Sequence, residues 1–92
     1  MDLLTQEALS IELRTVPDWA HIGESIRRVI TRDDFRGAML LVGAVAYLAE
    51  TANHHPDIMI QWNKVTLTLS THSAGGLTIN DFNLARTIDA LT

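Results

Sequence analysis

The segment VTLTLS, residues 65–70, alternates strictly between apolar and polar side chains. Val65, Leu67 and Leu69 would point to one side of a β-strand and the hydroxyl residues to the other, because successive side chains of a strand face opposite ways. A strand with one apolar face belongs to a sheet that is covered on one side, as antiparallel sheets commonly are. The alternation therefore predicts that the helices of this chain pack on a single face of its sheet.

The first third of the chain predicts one short helix and one hairpin. Thr5 is suited to cap a helix that Pro17 limits, since proline cannot continue a helix. Residues 19–31 alternate around a Gly-Glu turn, which is typical of two short antiparallel strands. Asp33 or Asp34 would then cap the next helix, where an acidic side chain suits the positive end of the helix dipole.

The segment FRGAMLLVGAVAYLAETAN, residues 35–53, predicts a long second helix. Leu41, Val42, Val45 and Leu48 widen its apolar stripe, and its glycines and alanines predict close packing against a sheet. The stripe itself follows the i, i+3, i+4, i+7 pattern at positions 35, 38, 39, 42, 45, 46 and 49.

The segment after the second helix predicts a second hairpin. Asn53 suits the left-handed C-terminal position of the helix, and Pro56 steers the residue before it to an extended conformation. The strand DIMIQW follows, and a turn at Asn63-Lys64 would lead into the alternating strand.

The last fifteen residues predict a third helix. Thr78 would cap it, with Asp81 in the acidic position of a capping box. Its buried stripe is expected at Phe82, Ala85, Ile88 and Leu91. Residues 1–92 are thus expected to form a single α+β domain in the order helix, hairpin, helix, hairpin, helix, with three helices packed on one face of a four-stranded antiparallel sheet.

Composition narrows the class of protein. A net charge of −4 argues against direct binding of nucleic acid, which depends on Lys and Arg neutralising phosphates. The chain has no cysteine, and its N-terminus lacks the pattern of a signal peptide, so a cytoplasmic location is expected. The longest uncharged run, residues 37–49, is shorter than the roughly 20 residues that span a bilayer, and no membrane partner is expected.

Chain length makes self-association an expectation. A chain of 92 residues buries only about 60–65% of its unfolded surface, so its core is thin. The apolar helix and the edges of the sheet offer surfaces for a second copy. We therefore expect a homo-oligomer, either a dimer or a tetramer.

Three of the four histidines lie where predicted elements end. His54 and His55 follow the long helix, and His72 follows the alternating strand. Element ends gather at one edge of a layered α+β fold, so the three imidazoles are expected near one another.

Three interpretations of these histidines compete. A zinc site would use the histidines with Asp81, but adjacent ligands such as His54 and His55 point in different directions, so no metal is expected. Surface histidines are favourable at the negative end of a helix and need no further role. Imidazoles that titrate near pH 6.5 could instead move protons in an elimination reaction.

The segment NHHPDIMIQWNKVTLTLSTHSAGGLTINDFNLARTID resembles the pterin-4a-carbinolamine dehydratase family. LLT at the start of the first helix, PDW before the first hairpin and DDF at the second helix also follow the order of that family. The resemblance implies an enzyme without a metal or organic cofactor. Its reaction removes water from 4a-hydroxytetrahydropterin and gives quinonoid dihydropterin, which recycles the cofactor of aromatic amino acid hydroxylases.

The resemblance also implies roles for individual residues. His55 would bind the pterin and act as base, while His54 and His72 would protonate the departing hydroxyl group. Asn53, Ser70 and Thr71 would be flanking contacts to the pterin. Asp81 would be a supporting acid that orients a histidine, and its position at a helix start offers a purely structural alternative.

A second class of function is compatible with the same resemblance. Some animal members also act as dimerisation cofactors of a homeodomain transcription factor, and some relatives act in the assembly of other enzymes. A non-catalytic binding module is therefore the alternative function. Retention of His54, His55 and His72 favours catalysis.

Overall fold

The computed structural model describes residues 2–92. It has the predicted order of elements, with one short 3-10 helix, His72–Ala74, added after the last strand. The helices and strands are α1 Gln6–Thr15, β1 Ala20–Ile22, β2 Ser25–Thr31, α2 Phe35–Ala52, β3 Asp57–Gln61, β4 Lys64–Leu69 and α3 Ile79–Asp89.

The four strands form one antiparallel sheet in the order β1-β2-β4-β3. The strand β4 lies inside the sheet, where Val65 pairs with Ile30 of β2 and Ile60 of β3. The apolar side chains of β4 are fully buried beneath the helices, as the alternation predicts. The α+β class, with three helices on one face of a four-stranded antiparallel sheet, is confirmed.

Polar side chains cap each helix at its predicted start. Thr5 accepts from Ala8 N at 3.1 Å, and Asp34, rather than Asp33, accepts from Gly37 N at 2.7 Å. Thr78 and Asp81 form the complete capping box of α3. These contacts satisfy N–H groups that a helix start leaves without internal partners.

Several details differ from the sequence-based expectations. The second hairpin turns at Trp62 and Asn63, one residue earlier than expected, and Trp62 takes a positive φ of 52°. Leu91 lies beyond the end of α3 and is 44% exposed, so it takes no part in the buried stripe, whereas Leu84 does.

The helix α2 buries a narrower stripe than its sequence suggests. Ala38, Leu41, Val45 and Ala49 face the core, whereas Met39 is 45% exposed. By length and composition alone, α2 would be apolar enough to cross a membrane, a property that core helices of globular domains share. Here its inner side packs in the core of the domain.

Candidate active site

The end of α2 turns the chain sharply and presents two adjacent imidazoles. Asn53 adopts the predicted left-handed conformation, with φ 48° and ψ 43°. His54 N then donates to Ala49 O at 3.0 Å, as in the common helix termination in which the sixth residue bonds back to the first. His55 follows and precedes Pro56, so the chain leaves the helix and enters β3 at Asp57.

The imidazole of His54 is bonded to the carboxylate of Asp81. The Nε2 atom lies 2.6 Å from Oδ1 of Asp81, although 27 residues separate the two in sequence. The Asp81 side chain is completely buried, and that of His54 is 12% exposed. The contact joins the end of α2 to the start of α3.

Two further donors hold the second oxygen of Asp81. The Thr71 hydroxyl donates to Oδ2 at 2.8 Å, and the backbone N–H of Thr78 donates to it at 2.9 Å. The Thr78 hydroxyl lies 2.8 Å from that of Thr71 and accepts from Asn80 N at 3.3 Å. No buried side-chain nitrogen or oxygen among residues 2–92 lacks a partner.

These contacts fix where the protons lie. An ionised carboxylate only accepts hydrogen bonds, so Thr71 donates its single proton to Asp81, and Thr78 donates to Thr71. The same argument places a proton on Nε2 of His54. Its Nδ1 atom is then the nitrogen available to another molecule, as in other histidines that a carboxylate orients.

Asp81 therefore makes contacts that fit both of the interpretations that the sequence left open. Its Oδ2 atom closes the capping box of α3, and its Oδ1 atom holds His54. A buried carboxylate is stable only where donors surround it, and here three donors do so. His54, Thr71 and Asp81 are thus brought together from three separate segments of the chain.

A second histidine and carboxylate pair involves Glu50, which the sequence analysis did not single out. His55 Nε2 is hydrogen-bonded to Oε2 of Glu50, one turn back on α2. The two side chains are 56% and 77% exposed. A glutamate five residues before a histidine, across a predicted helix end, is the signal that could have identified it.

The other predicted site residues are neighbours of His54 or Thr71 in the chain and do not join the hydrogen bonds of this centre. β4 ends at Leu69, and His72 begins the 3-10 helix instead of extending the strand. Its side chain is exposed and makes no hydrogen bond within residues 2–92, although it directly follows Thr71. Ser70 donates to Glu24 O at 2.7 Å, and Asn53 is exposed at the helix end.

A cleft of about 330 Å³ runs between α2 and α3 and is lined in part by His54. Leu48, Ala52 and Leu84 give it an apolar wall, and Asn80 and Asn83 add amide groups. An apolar cleft with a few convergent polar groups is the usual form of a small-molecule site. Residues 2–92 contain no group of three His, Cys, Asp or Glu side chains positioned to hold a metal ion.

Comparison with known proteins identifies the family. The family model for pterin 4 alpha carbinolamine dehydratase matches residues 2–91. A protein of Nocardia farcinica, provisionally named as such a dehydratase, is 51% identical over 90 residues, which cover 98% of this chain and 95% of the relative. A provisionally named dehydratase of Acidobacterium capsulatum is 48% identical over 91 residues, which cover 99% of each chain.

A solved structure agrees with the sequence relatives. The crystal structure of a protein from Brucella melitensis, described as a transcriptional coactivator/pterin dehydratase, superposes with a TM-score of 0.92. It is 33% identical in sequence, and the match covers 98% of both chains. The whole chain therefore shares both sequence and fold with these proteins, and it belongs to the pterin 4 alpha carbinolamine dehydratase family.

Proposed function

We propose that this chain dehydrates 4a-hydroxytetrahydropterin to quinonoid dihydropterin by histidine acid and base catalysis. Membership of the family supports the reaction. The observation that carries the assignment to residues is the network from His54 through Asp81 to Thr71. This network connects His54, in the predicted histidine motif, to the end of the strand that precedes His72.

The reaction needs one acid and one base. The bond between C4a and its hydroxyl oxygen breaks, the oxygen takes a proton and leaves as water, and a proton is lost from a ring nitrogen. Histidine suits both tasks, because its ordinary pKa lies near neutral pH. No redox change occurs, so the proposed reaction needs no cofactor.

His54 is the acid whose orientation the fold determines. Asp81 accepts from Nε2, so the Nδ1 atom of the protonated ring is the one that would donate to the departing hydroxyl. His72 is proposed as the second acid, for a hydroxyl that leaves from the opposite face of the pterin. Its exposed side chain is accessible to a bound substrate.

His55 is proposed as the base that also holds the pterin. With Nε2 bonded to Glu50, its Nδ1 atom is free to accept a proton. Asn53 and Ser70 are proposed as flanking contacts to the substrate. The Thr71 hydroxyl is committed to Asp81, so we propose that Thr71 acts on the substrate through Asp81 and His54.

The test is a direct assay with 4a-hydroxytetrahydropterin that is generated enzymatically in the cuvette. We expect the purified chain to accelerate loss of this species well above the spontaneous rate. His21→Ala is the matched control, because His21 bonds to Gly23 O in the first hairpin, outside the proposed site. A wild-type rate that equals the spontaneous rate would refute the proposal.

The wider biological setting is part of the same proposal. Quinonoid dihydropterin is the form that a reductase can return to the tetrahydropterin used by aromatic amino acid hydroxylases. The predicted cytoplasmic location and homo-oligomeric state fit such an enzyme. Recovery of the active chain from the soluble cell fraction would support the predicted location. A mass in solution of more than one copy would support the homo-oligomeric state.

A non-catalytic binding module is the second candidate function. We retain this alternative because the description of the Brucella melitensis protein names both a coactivator and a dehydratase. A binding module would fold and associate without turning over the pterin. The assay above separates the two candidates, since only the enzyme consumes its substrate.

A further inference from the structure

His72 stands in a short loop whose two ends are bonded to each other. We define the His72 loop as residues 71–76, which contain the 3-10 helix. Thr71 N donates to Gly76 O at 2.8 Å, and Gly76 N donates to Thr71 O at 3.3 Å, so the ends pair as in an antiparallel sheet. The imidazole of His72 is exposed, so the backbone of this loop determines where it lies.

The two glycines of the His72 loop have different reasons to be glycine. Gly75 adopts a positive φ of 78°, a conformation that favours glycine. Gly76 is buried and has no positive φ, but a Cβ atom built on it would lie 3.0 Å from Cδ2 of Leu3. Carbon atoms in ordinary contact are about 3.5–4.0 Å apart. The absence of a side chain at Gly76 therefore lets Leu3 lie directly on the backbone of the loop.

The segment that precedes α1 crosses the His72 loop at this glycine. Leu4 N donates to Leu77 O at 3.0 Å, so the segment is bonded to the residue that follows Gly76. The side chain of Leu4 packs against the core, whereas that of Leu3 is 52% exposed. We define the leucine clamp as Leu3 and Leu4. One of its side chains is anchored in the core, and the other lies on the loop.

The base of the His72 loop is thus held from two sides. On one side, the Thr71 hydroxyl donates to Asp81, whose other oxygen is bonded to His54. On the other side, the leucine clamp covers Gly76. The first contact belongs to the network of His54, whereas the second lies on the part of the chain that leads back to His72.

We propose that the leucine clamp positions His72 for its role as the second acid. Leu3 acts through the backbone of Gly76, so it is a positioning residue. Misplacement of a reacting group by about 1 Å can cost about 100-fold in rate, so an exposed imidazole on a short loop depends on such support. The consequence for dehydration rests on the proposed function, whereas the restraint of the loop does not.

Hydrogen exchange tests the restraint without substrate. Leu3→Ala removes the side chain that lies on Gly76, so the His72 loop should open more often. We expect amide exchange at Thr71 and Gly75 to become at least about tenfold faster in this variant. Exchange at the His54 N–H, which is bonded within the end of α2, should stay within about twofold of wild type.

Dehydration rates test the consequence for His72. In the His54→Ala background His72 is the remaining acid, and there Leu3→Ala should lower the rate about tenfold. In the His72→Ala background the same change should alter the rate by less than about twofold, because Asp81 holds His54. A general loss of stability would lower both rates alike, so the contrast separates positioning from a purely structural role.

Two variants are the matched controls. Leu3→Met keeps an apolar side chain of similar volume, so it should retain wild-type exchange and rates. Leu91 is 44% exposed and lies beyond the end of α3, so Leu91→Ala shortens a comparable leucine outside the clamp. It should change neither the exchange of the His72 loop nor the dehydration rate in either histidine background.

Two results would overturn the proposal. The first is unchanged amide exchange in the His72 loop of a Leu3→Ala protein that is folded by circular dichroism. The second is an equal loss of rate in the two histidine backgrounds. An inactive wild-type chain would instead refute the proposed function, together with the role of His72 in it, and the exchange rates would then decide the restraint by themselves.

Discussion

The two histidine and carboxylate pairs of this site use the same chemistry in opposite surroundings. The Asp81 side chain is fully buried and His54 is 12% exposed, whereas Glu50 and His55 are 77% and 56% exposed. Asp81 has partners on both oxygens, while Glu50 and His55 are near neighbours in the chain at the end of one helix. The first pair is built by the whole fold and the second by a local turn.

This difference suggests distinct demands on the two histidines. An imidazole held by a buried, fully bonded carboxylate keeps one tautomer and one orientation before substrate arrives, which suits a positioned acid. A pair exposed to water is weaker, since solvent screens it, and it can adjust to a ligand. The proposed pterin-binding role of His55 fits the adjustable pair.

The largest expected effect is loss of both proposed acids. General acid catalysis contributes about 100- to 10,000-fold, so His54→Ala with His72→Ala should bring the dehydration rate close to the spontaneous value. Either change alone should cost less with racemic substrate, because the other acid serves one pterin face. Rates of the single and double variants are compared, with circular dichroism as the check on folding. A folded double variant at the wild-type rate would contradict the roles of both acids.

Replacement of His55 should have the next largest effect. His55→Ala removes both the proposed base and a contact to the pterin, so its rate should fall further than that of either single acid variant, by about 1,000-fold. The side chain is exposed, so the melting temperature should change little. His21→Ala is assayed in parallel. A folded His55→Ala protein with the wild-type rate shows that the assigned role is wrong.

Asp81→Asn should lower the free energy of unfolding more than a change to the exposed Glu50 and His55 pair does. The amide keeps the size of the carboxylate but cannot accept from all three donors, so the free energy of unfolding should fall by about 1–3 kcal/mol. Activity should fall less than in His55→Ala, since His72 still supplies an acid. Urea titration measures the stability, and Asp33→Asn, an exposed change beside the α2 cap, is the control. Equal stability of the two variants would disprove the buried network.

Glu50→Gln should have a small effect by comparison. Both partners are exposed, so the free energy of unfolding should change by no more than about 0.5 kcal/mol. The dehydration rate should fall less than tenfold, because an amide oxygen still accepts from His55 Nε2. Glu7→Gln in α1 controls for loss of surface charge. A stability loss as large as that of Asp81→Asn would remove the distinction between the pairs.

The smallest expected effect is that of metal removal. The proposed proton transfers use side chains alone, so overnight dialysis against EDTA should leave the dehydration rate unchanged. Metal content is measured on the same sample before and after dialysis. Stoichiometric zinc, with activity that is lost in EDTA and restored by zinc, would replace the histidine mechanism with a metal-dependent one.

Local sequence patterns predicted most of the fold, for reasons that particular residues show. The alternation of Val65, Leu67 and Leu69 required a one-sided sheet, and Thr5, Thr78 and Asn53 marked helix ends. Such signals depend on neighbours within a few positions, so they survive without knowledge of the tertiary structure. Leu91 and Met39 were misplaced because an apolar residue does not reveal whether anything covers it.

The sequence by itself therefore determined the elements, their order and the motif in which His54, His55 and His72 stand. Only the tertiary structure decided that Asp81 bonds to His54 and that Thr71 donates to Asp81, whereas the contact of Glu50 with His55 is a local one across the end of α2. The sequence does not show whether a titratable side chain is buried or exposed. Burial and the direction of each hydrogen bond follow from how α2, α3 and the end of β4 pack together, and these long-range contacts set the two histidine pairs apart.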